Sequence, residues 1–140
     1  GPSHLKVVEE FGYEMYMHCG AIRKVLLAWQ TPAFIDEYFK NIILHDQAFP
    51  HVRPDDLREE LKKIRQDGYA ITHGEYVTDA LGIGAPVFNS DGELAGSIGI
   101  IAPEIRVDTT EFLDTQKDLV QFYASSLSAD LGYEKHDVFQ

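Results

Sequence analysis

The run LGIGAPVFNSDGELAGSIGII, residues 81–101, constrains the fold more than any other stretch of this chain. Two apolar, β-branched segments flank Asn89-Ser90-Asp91-Gly92, and Asp-Gly between such segments is a strong hairpin signal. YAITHGEY, residues 69–76, precedes them with the same pattern and predicts a third antiparallel strand. Gly82, Gly84, Gly96 and Gly99 lie inside these strands, where each glycine costs about 0.5–1 kcal/mol relative to alanine. Strand glycines usually mark a bulge or a close approach of backbone or ligand. Alternation puts Ser97, Gly99 and Ile101 on one face and Gly96, Ile98 and Ile100 on the other; Ala80, Gly82 and Gly84 also share a face. Two neighbouring small-residue faces make either a hollow for a ligand or a flat seat for a helix, and strand pattern alone leaves both open.

Helical signals surround the strands. In GAIRKVLLAW, Ile22, Val25, Leu26 and Trp29 recur at helical spacing after Gly20. TPAFIDEYFKN begins a second helix with Thr31 as cap and Pro32 at its first position, and residues 41–52 read as a connection. PDDLREELKKIRQDG predicts the clearest helix: Leu57, Leu61 and Ile64 form the stripe, acids open it, bases close it and Gly68 ends it. A long terminal helix follows, capped by Asp108 or Thr109, with Leu113, Val120, Tyr123, Leu127 and Leu131 as its expected inward face and Gly132 as its stop. Ahead of everything, HLKVVEEFGYEMYM predicts two short extended pieces around Gly12. The order gives an α+β domain, with helices packed on an antiparallel sheet.

With 140 residues and 44% apolar content, the chain fits one domain with its own core. GPSH reads as a protease scar, so residues 1–4 are set aside, and residues 134–140 read as a tail. No apolar run has membrane-spanning length, which predicts a soluble, cytoplasmic chain. The net charge of −11 argues against phosphate-dominated binding to nucleic acid or to an acidic membrane by this domain. Cys19 is the single cysteine, so no internal disulfide forms. Beside a helix start it is either a reactive thiol or, more commonly, a small buried hydrophobe. His18, His45, His51 and His73 lack ligand spacing, so no metal and no cofactor is expected. Glu75 on its strand is expected to face water. The first amides of the GAIRKVLLAW helix have no intrahelical partner and carry the positive end of its dipole, which suits a carboxylate or phosphate.

Three segments together carry a resemblance. MHCGAIRKVLLAW resembles the IclR-family pattern H-x-[ST]-x-x-G-K-A-x-L-A. IRQDGYAITHGEY is similar to I-R-x-x-G-Y-A-x-D-x-E-E, and LGIGAPVFNSDGELAGSIGIIAP to C-I-A-A-P-V-F-D-x-x-G-x-x-x-A-x-[SI]-x-S-x-P. The resemblance implies a GAF-like effector-binding domain over residues 5–133, lacking the winged helix-turn-helix and the first helix and strand pair. DNA would then be bound only through that missing module, and self-association as homodimer or homotetramer is implied. Carried over residue by residue, the anion-binding amides fall on Ala21 and Ile22 and the apolar lining on Val7, Met15 and Ala80. Positions that usually hold Asp, Cys and two Ser fall on Thr72, Gly82, Gly99 and Ile101. Losing those polar groups implies a roomier, more apolar pocket, suited to a larger carboxylic acid, aromatic ones included. Arg23 replaces the family's glycine and either reaches a ligand carboxylate or points to solvent, the second being expected.

The function expected is therefore ligand sensing without chemistry. Two alternatives stay open: a thiol-dependent enzyme using Cys19, and a structural interaction domain whose hollow is filled by a helix and never by ligand.

Overall fold

The computed structural model describes residues 16–44, 52–75, 78–106 and 109–134. The expected extended pieces before Met15, and with them Val7 and Met15, lie outside the described residues, as do His45, His51 and Asp108.

The three strands pair as their sequence predicts. β1 (Ala70–His73), β2 (Ala80–Phe88) and β3 (Leu94–Pro103) form an antiparallel sheet in the order β1-β2-β3. Between β2 and β3, Asn89 Oδ1 accepts from the amides of Asp91 and Glu93, and Gly92 takes a φ of 77°. Gly92 supplies the left-handed conformation the turn needs.

Each face of the sheet carries a different kind of residue and takes a different helix. Leu81, Ile83, Ala85 and Val87 of β2, with Ile98 and Ile100 of β3, pack against Val120 and Ala124 of the terminal helix α4 (Thr110–Asp130). The glycine face receives α1 (Ala21–Ala28), which α3 (Pro54–Asp67) covers from outside with Leu57, Leu61 and Ile64. Between α1 and α3 run α2 (Pro32–Tyr38), capped by Thr31 Oγ1 accepting from Phe34 N, and a π-helical turn over Phe39–Ile43. That turn occupies the start of the expected connection, and its Phe39 and Ile43 belong to the α1–α3 core. The closure of α3 is as read: Gly68 is left-handed at φ 81°, and its amide donates to Ile64 O at 2.8 Å.

Two helix faces differ from expectation. On α1 the buried positions are Ala21, Lys24, Val25, Leu27 and Ala28, while Ile22, Leu26 and Trp29 are only partly covered. The helix is covered by the sheet on one side and α3 on the other, so a single stripe could not describe it. On α4 the inward residues are Val120, Ala124 and Ser128, with Leu113 partly buried, whereas Tyr123, Leu127 and Leu131 are exposed. Apolar residues lie around much of α4, Leu119 and Phe122 among the exposed ones, so hydrophobic period does not single out a face. Small residues decide it. Ser128 Oγ lies against β2, accepting from Phe88 N at 2.9 Å and donating to Ala124 O at 2.9 Å.

No described helix is long and apolar enough to cross a membrane.

Candidate functional site

The register places the sheet's small residues in rows. Ala70 of β1, Gly84 of β2 and Gly99 of β3 lie side by side, and one pleat further on lie Thr72, Gly82 and Ile101. The two rows do different jobs. A Cβ on Gly84 would stand 3.0 Å from the Ala21 carbonyl and the Ile22 Cα. A Cβ on Gly99 would run into the Ile83 carbonyl and stand 2.7 Å from Ile22 Cγ1. This row is the seat of α1, which Ser97 also ties down by donating to Ile22 O at 2.8 Å. The second row is only partly covered: a Cβ on Gly82 would stand 3.0 Å from Thr72 Oγ1 and 3.4 Å from Ala21 Cβ. It opens into a cavity of ≈ 130 Å³ walled by Thr72, Ala80, Gly82 and Ile101 from the sheet, Cys19 to Arg23 from the start of α1, and Glu75. The glycine face is thus helix seat at one end and hollow at the other.

Of the nine residues the sequence singled out, Ala21, Ile22, Thr72, Ala80, Gly82 and Ile101 meet around this cavity. Val7 and Met15 lie outside the described residues. Gly99 is one pleat away, beneath Ile22, so its missing side chain makes room for the helix rather than the hollow. Four wall residues were not assigned to the pocket: Cys19, Gly20, Arg23 and Glu75.

The chain reaches this site through a turn that needs its glycine. Gly20 caps α1 with φ 94° and ψ 156°, a conformation side chains rarely adopt. The turn before it is held by Tyr38 of α2, whose hydroxyl accepts from Met17 N at 2.7 Å and lies 2.8 Å from Nδ1 of the fully buried His18. Burial pushes the Tyr38 phenol above its ordinary value, with the backbone N–H groups of Met17 and His18 pulling the other way.

Glu75 does not face water as expected. Its Oε1 accepts from Gly20 N at 3.2 Å and its Oε2 lies 2.8 Å from Lys24 Nζ, while its main-chain carbonyl accepts from Cys19 Sγ at 3.3 Å. Lys24 is itself 1% exposed, and its ammonium also meets both oxygens of Glu60 on α3, at 2.8 and 3.0 Å. A buried ammonium needs such partners, since desolvating it alone would cost far more than the helix gains. The available signal was Lys24's place three residues after Ala21 and four before Ala28, on the covered face of a short helix. Arg23 is corrected as well: it lines the cavity, and Nη1 donates to Cys19 O at 3.3 Å.

Opposite the helix start stands Thr72, 4% exposed, its hydroxyl beside Gly82 on the cavity wall. A hydroxyl on a cavity wall can donate to or accept from whatever enters the cavity.

The surroundings of Cys19 favour its neutral thiol over the thiolate. Burial pushes its thiol above the ordinary value, and the neighbouring Glu75 adds to this; Arg23 and Lys24 oppose it without overcoming it. The neutral thiol should react with iodoacetamide more slowly at pH 7.5 than an unstructured cysteine, with its rate still climbing at a pH where that of the unstructured cysteine has levelled off. Time courses of alkylation followed by mass spectrometry measure this directly; a rate above that of free cysteine at pH 7.5 would reinstate the enzyme reading. Among the described residues, no group of His, Cys, Asp and Glu is arranged to hold a metal.

A family model, the C-terminal region of the bacterial transcriptional regulator IclR, matches residues 1–129. The chain belongs to the IclR family. Similar IclR-type proteins include the HTH-type transcriptional regulator RhmR of Escherichia coli, 30% identical over 88% of this chain and 47% of its own length. KdgR of Dickeya chrysanthemi is 28% identical over 96% of this chain and 43% of its own. Among solved structures, the IclR of Thermotoga maritima superposes with a TM-score of 0.72 at 28% identity, covering 84% of this chain and 47% of that one. The chain therefore spans about half the length of these IclR-family relatives and corresponds to their C-terminal regulatory domain.

Proposed function

We propose that this domain senses a carboxylic acid and passes its presence to DNA-binding modules of an IclR-type regulator. The observation carrying this reading is the cavity between the second row of the sheet and the start of α1. Thr72, Gly82 and Ile101 leave a hollow in front of the Ala21 and Ile22 amides, with the Thr72 hydroxyl on its wall. A carboxylate there meets the positive end of α1. Its hydrocarbon body lies against Ala80, Gly82 and Ile101.

The hollow's ≈ 130 Å³ is close to the roughly 150 Å³ of a protein cavity that admits benzene. The described walls therefore suit a body of one ring or a short branched chain, larger than that of a two-carbon oxoacid. Signalling follows from differential affinity. An acid that binds one arrangement of this domain and its oligomer better than another shifts the population of arrangements, and the attached modules shift with it. A homodimer or homotetramer provides those arrangements.

A thermal-shift series tests the reading. Branched and aromatic monocarboxylates at about 100 times their dissociation constant should stabilise the domain by about 2.7 kcal/mol, several degrees for this size, and glyoxylate should act only at higher concentration. No shift from any acid at millimolar concentration would sink the sensing reading in favour of an interaction domain.

A further inference from the structure

Glu75 is a carboxylate placed beside the very amides that an incoming carboxylate would use. Its Oε1 takes the N–H of Gly20, and the next two amides along the chain are those of Ala21 and Ile22. Two carboxylates this close repel each other unless a proton donor stands between them. We propose that Glu75 sets the chemistry of the effector: the pocket takes an acid carrying a hydroxyl or ammonium group next to its carboxylate, with that donor facing Glu75. This rests on the reading of the cavity as an effector site.

The argument turns on what each polar wall group accepts or gives. Glu75 is held against the Lys24 ammonium at 2.8 Å and presents lone pairs only, so a ligand atom that reaches it must donate. An oxo group at that position would face it with another acceptor, and a bare methylene would leave two carboxylates in view of each other. The Thr72 hydroxyl does not discriminate in this way, because a hydroxyl both donates and accepts. Ala80, Gly82 and Ile101 offer no polar side-chain atom. Arg23 and the Cys19 thiol also line the cavity, but both can donate. Among the described wall side chains Glu75 is the one that only accepts, so selection for a donor beside the ligand's carboxylate falls to it. Its place is fixed from three sides, by Gly20, by Lys24 and by the Cys19 thiol on its carbonyl.

Three acids of nearly equal size separate the possibilities: 3-methylbutanoate, 2-hydroxy-3-methylbutanoate and 2-oxo-3-methylbutanoate, titrated calorimetrically into the chain at pH 7.5. The hydroxy acid should bind roughly 10- to 100-fold tighter than the other two, as for a hydrogen bond to a charged group. Glu75→Gln keeps the size and adds a donor, so it should weaken the hydroxy acid, strengthen the oxo acid and close most of that gap. Equal affinity of all three for the unaltered chain would overturn the role of Glu75 while leaving the cavity as an effector site. Binding of none would overturn the cavity reading itself. The ranking on the unaltered chain decides the matter even if Glu75→Gln, which takes one carboxylate from Lys24, fails to fold.

Discussion

Lys24→Ala is expected to lower the stability of this domain by about 3 kcal/mol or more, the low end of what breaking a buried ion pair costs. The ammonium lies 2.8 Å from Glu60 Oε1 and 2.8 Å from Glu75 Oε2, with the lysine side chain 2% exposed. Removing it does two separate things. It leaves a cavity where three methylenes and an ammonium stood between α1 and α3, and it leaves two acids facing one another without a cation. Glu60 and Glu75 remain 35% and 25% exposed, so water can partly take over from the lysine. That is why the low end of the range applies. Lys24→Met fills the same volume and deletes only the charge, so the difference between the two variants is the cavity contribution. Urea unfolding of the three proteins measures both. With a total of about 5–15 kcal/mol for a domain, the alanine variant should unfold at a clearly lower urea midpoint. An unchanged midpoint would mean that the network contributes nothing and that Glu75 is not held in place through Lys24. The positioning argument for the pocket would then lose one of its three supports.

The parts of this fold that were legible in the sequence are those whose cause is local. Asp91-Gly92 makes its turn through Asn89 and the positive φ of Gly92, all within five residues. Helix α3 is bounded by Pro54 and Gly68, and its Leu57, Leu61 and Ile64 form a single buried stripe. Alternation along β3 was equally readable: Ser97 and Gly99 meet α1, while Ile98 and Ile100 face the core under α4. Where an element touches two neighbours, or is apolar on several sides, period loses its meaning. Lys24 is buried because Glu60 and Glu75 come to it from 36 and 51 residues away. Nothing near it in sequence announces them. The inward face of α4 is chosen by Ala124 and Ser128 because they fit closely against β2, and its large side chains stay outside.

The candidate site divides in the same way. Its sheet wall is a matter of strand parity and register, so Ala80, Gly82 and Ile101 could be placed together once the hairpin was read. Its charged wall is not. Glu75 follows Gly74, which adopts φ 66° as the chain leaves β1 and whose amide donates to Ala80 O at 2.8 Å. That tight turn swings the carboxylate under the start of α1, off the strand whose alternation suggested solvent. Gly99 shows the converse. The resemblance to a known pocket pattern put it at the ligand, and the register puts it one pleat away, under Ile22.

Gly99→Ala should be the most damaging single methyl addition in this sheet, at about 2–3 kcal/mol, the upper range for overpacking. The backbone at Gly99 is ordinary extended chain, without positive φ, so the cost is steric rather than conformational. A Cβ there would run into the carbonyl of Ile83 and stand 2.7 Å from Ile22 Cγ1 and 3.1 Å from Gly84 Cα. Ile22 can turn aside, but a carbonyl in the β2–β3 ladder cannot move without disturbing the register that aligns Gly82 with Ile101. The same strand supplies its own control. A Cβ on Gly96 meets nothing within 4 Å, so Gly96→Ala should be neutral or stabilising by about 0.4–1 kcal/mol through reduced freedom of the unfolded chain. Thermal unfolding of both variants gives the comparison: several degrees down for Gly99→Ala and none down for Gly96→Ala. Equal melting temperatures would mean that α1 does not rest on Gly99 as closely as the structure places it. The amides of Ala21 and Ile22, which rest on the same contact, would then stand further from the sheet, and the hollow would be wider than ≈ 130 Å³.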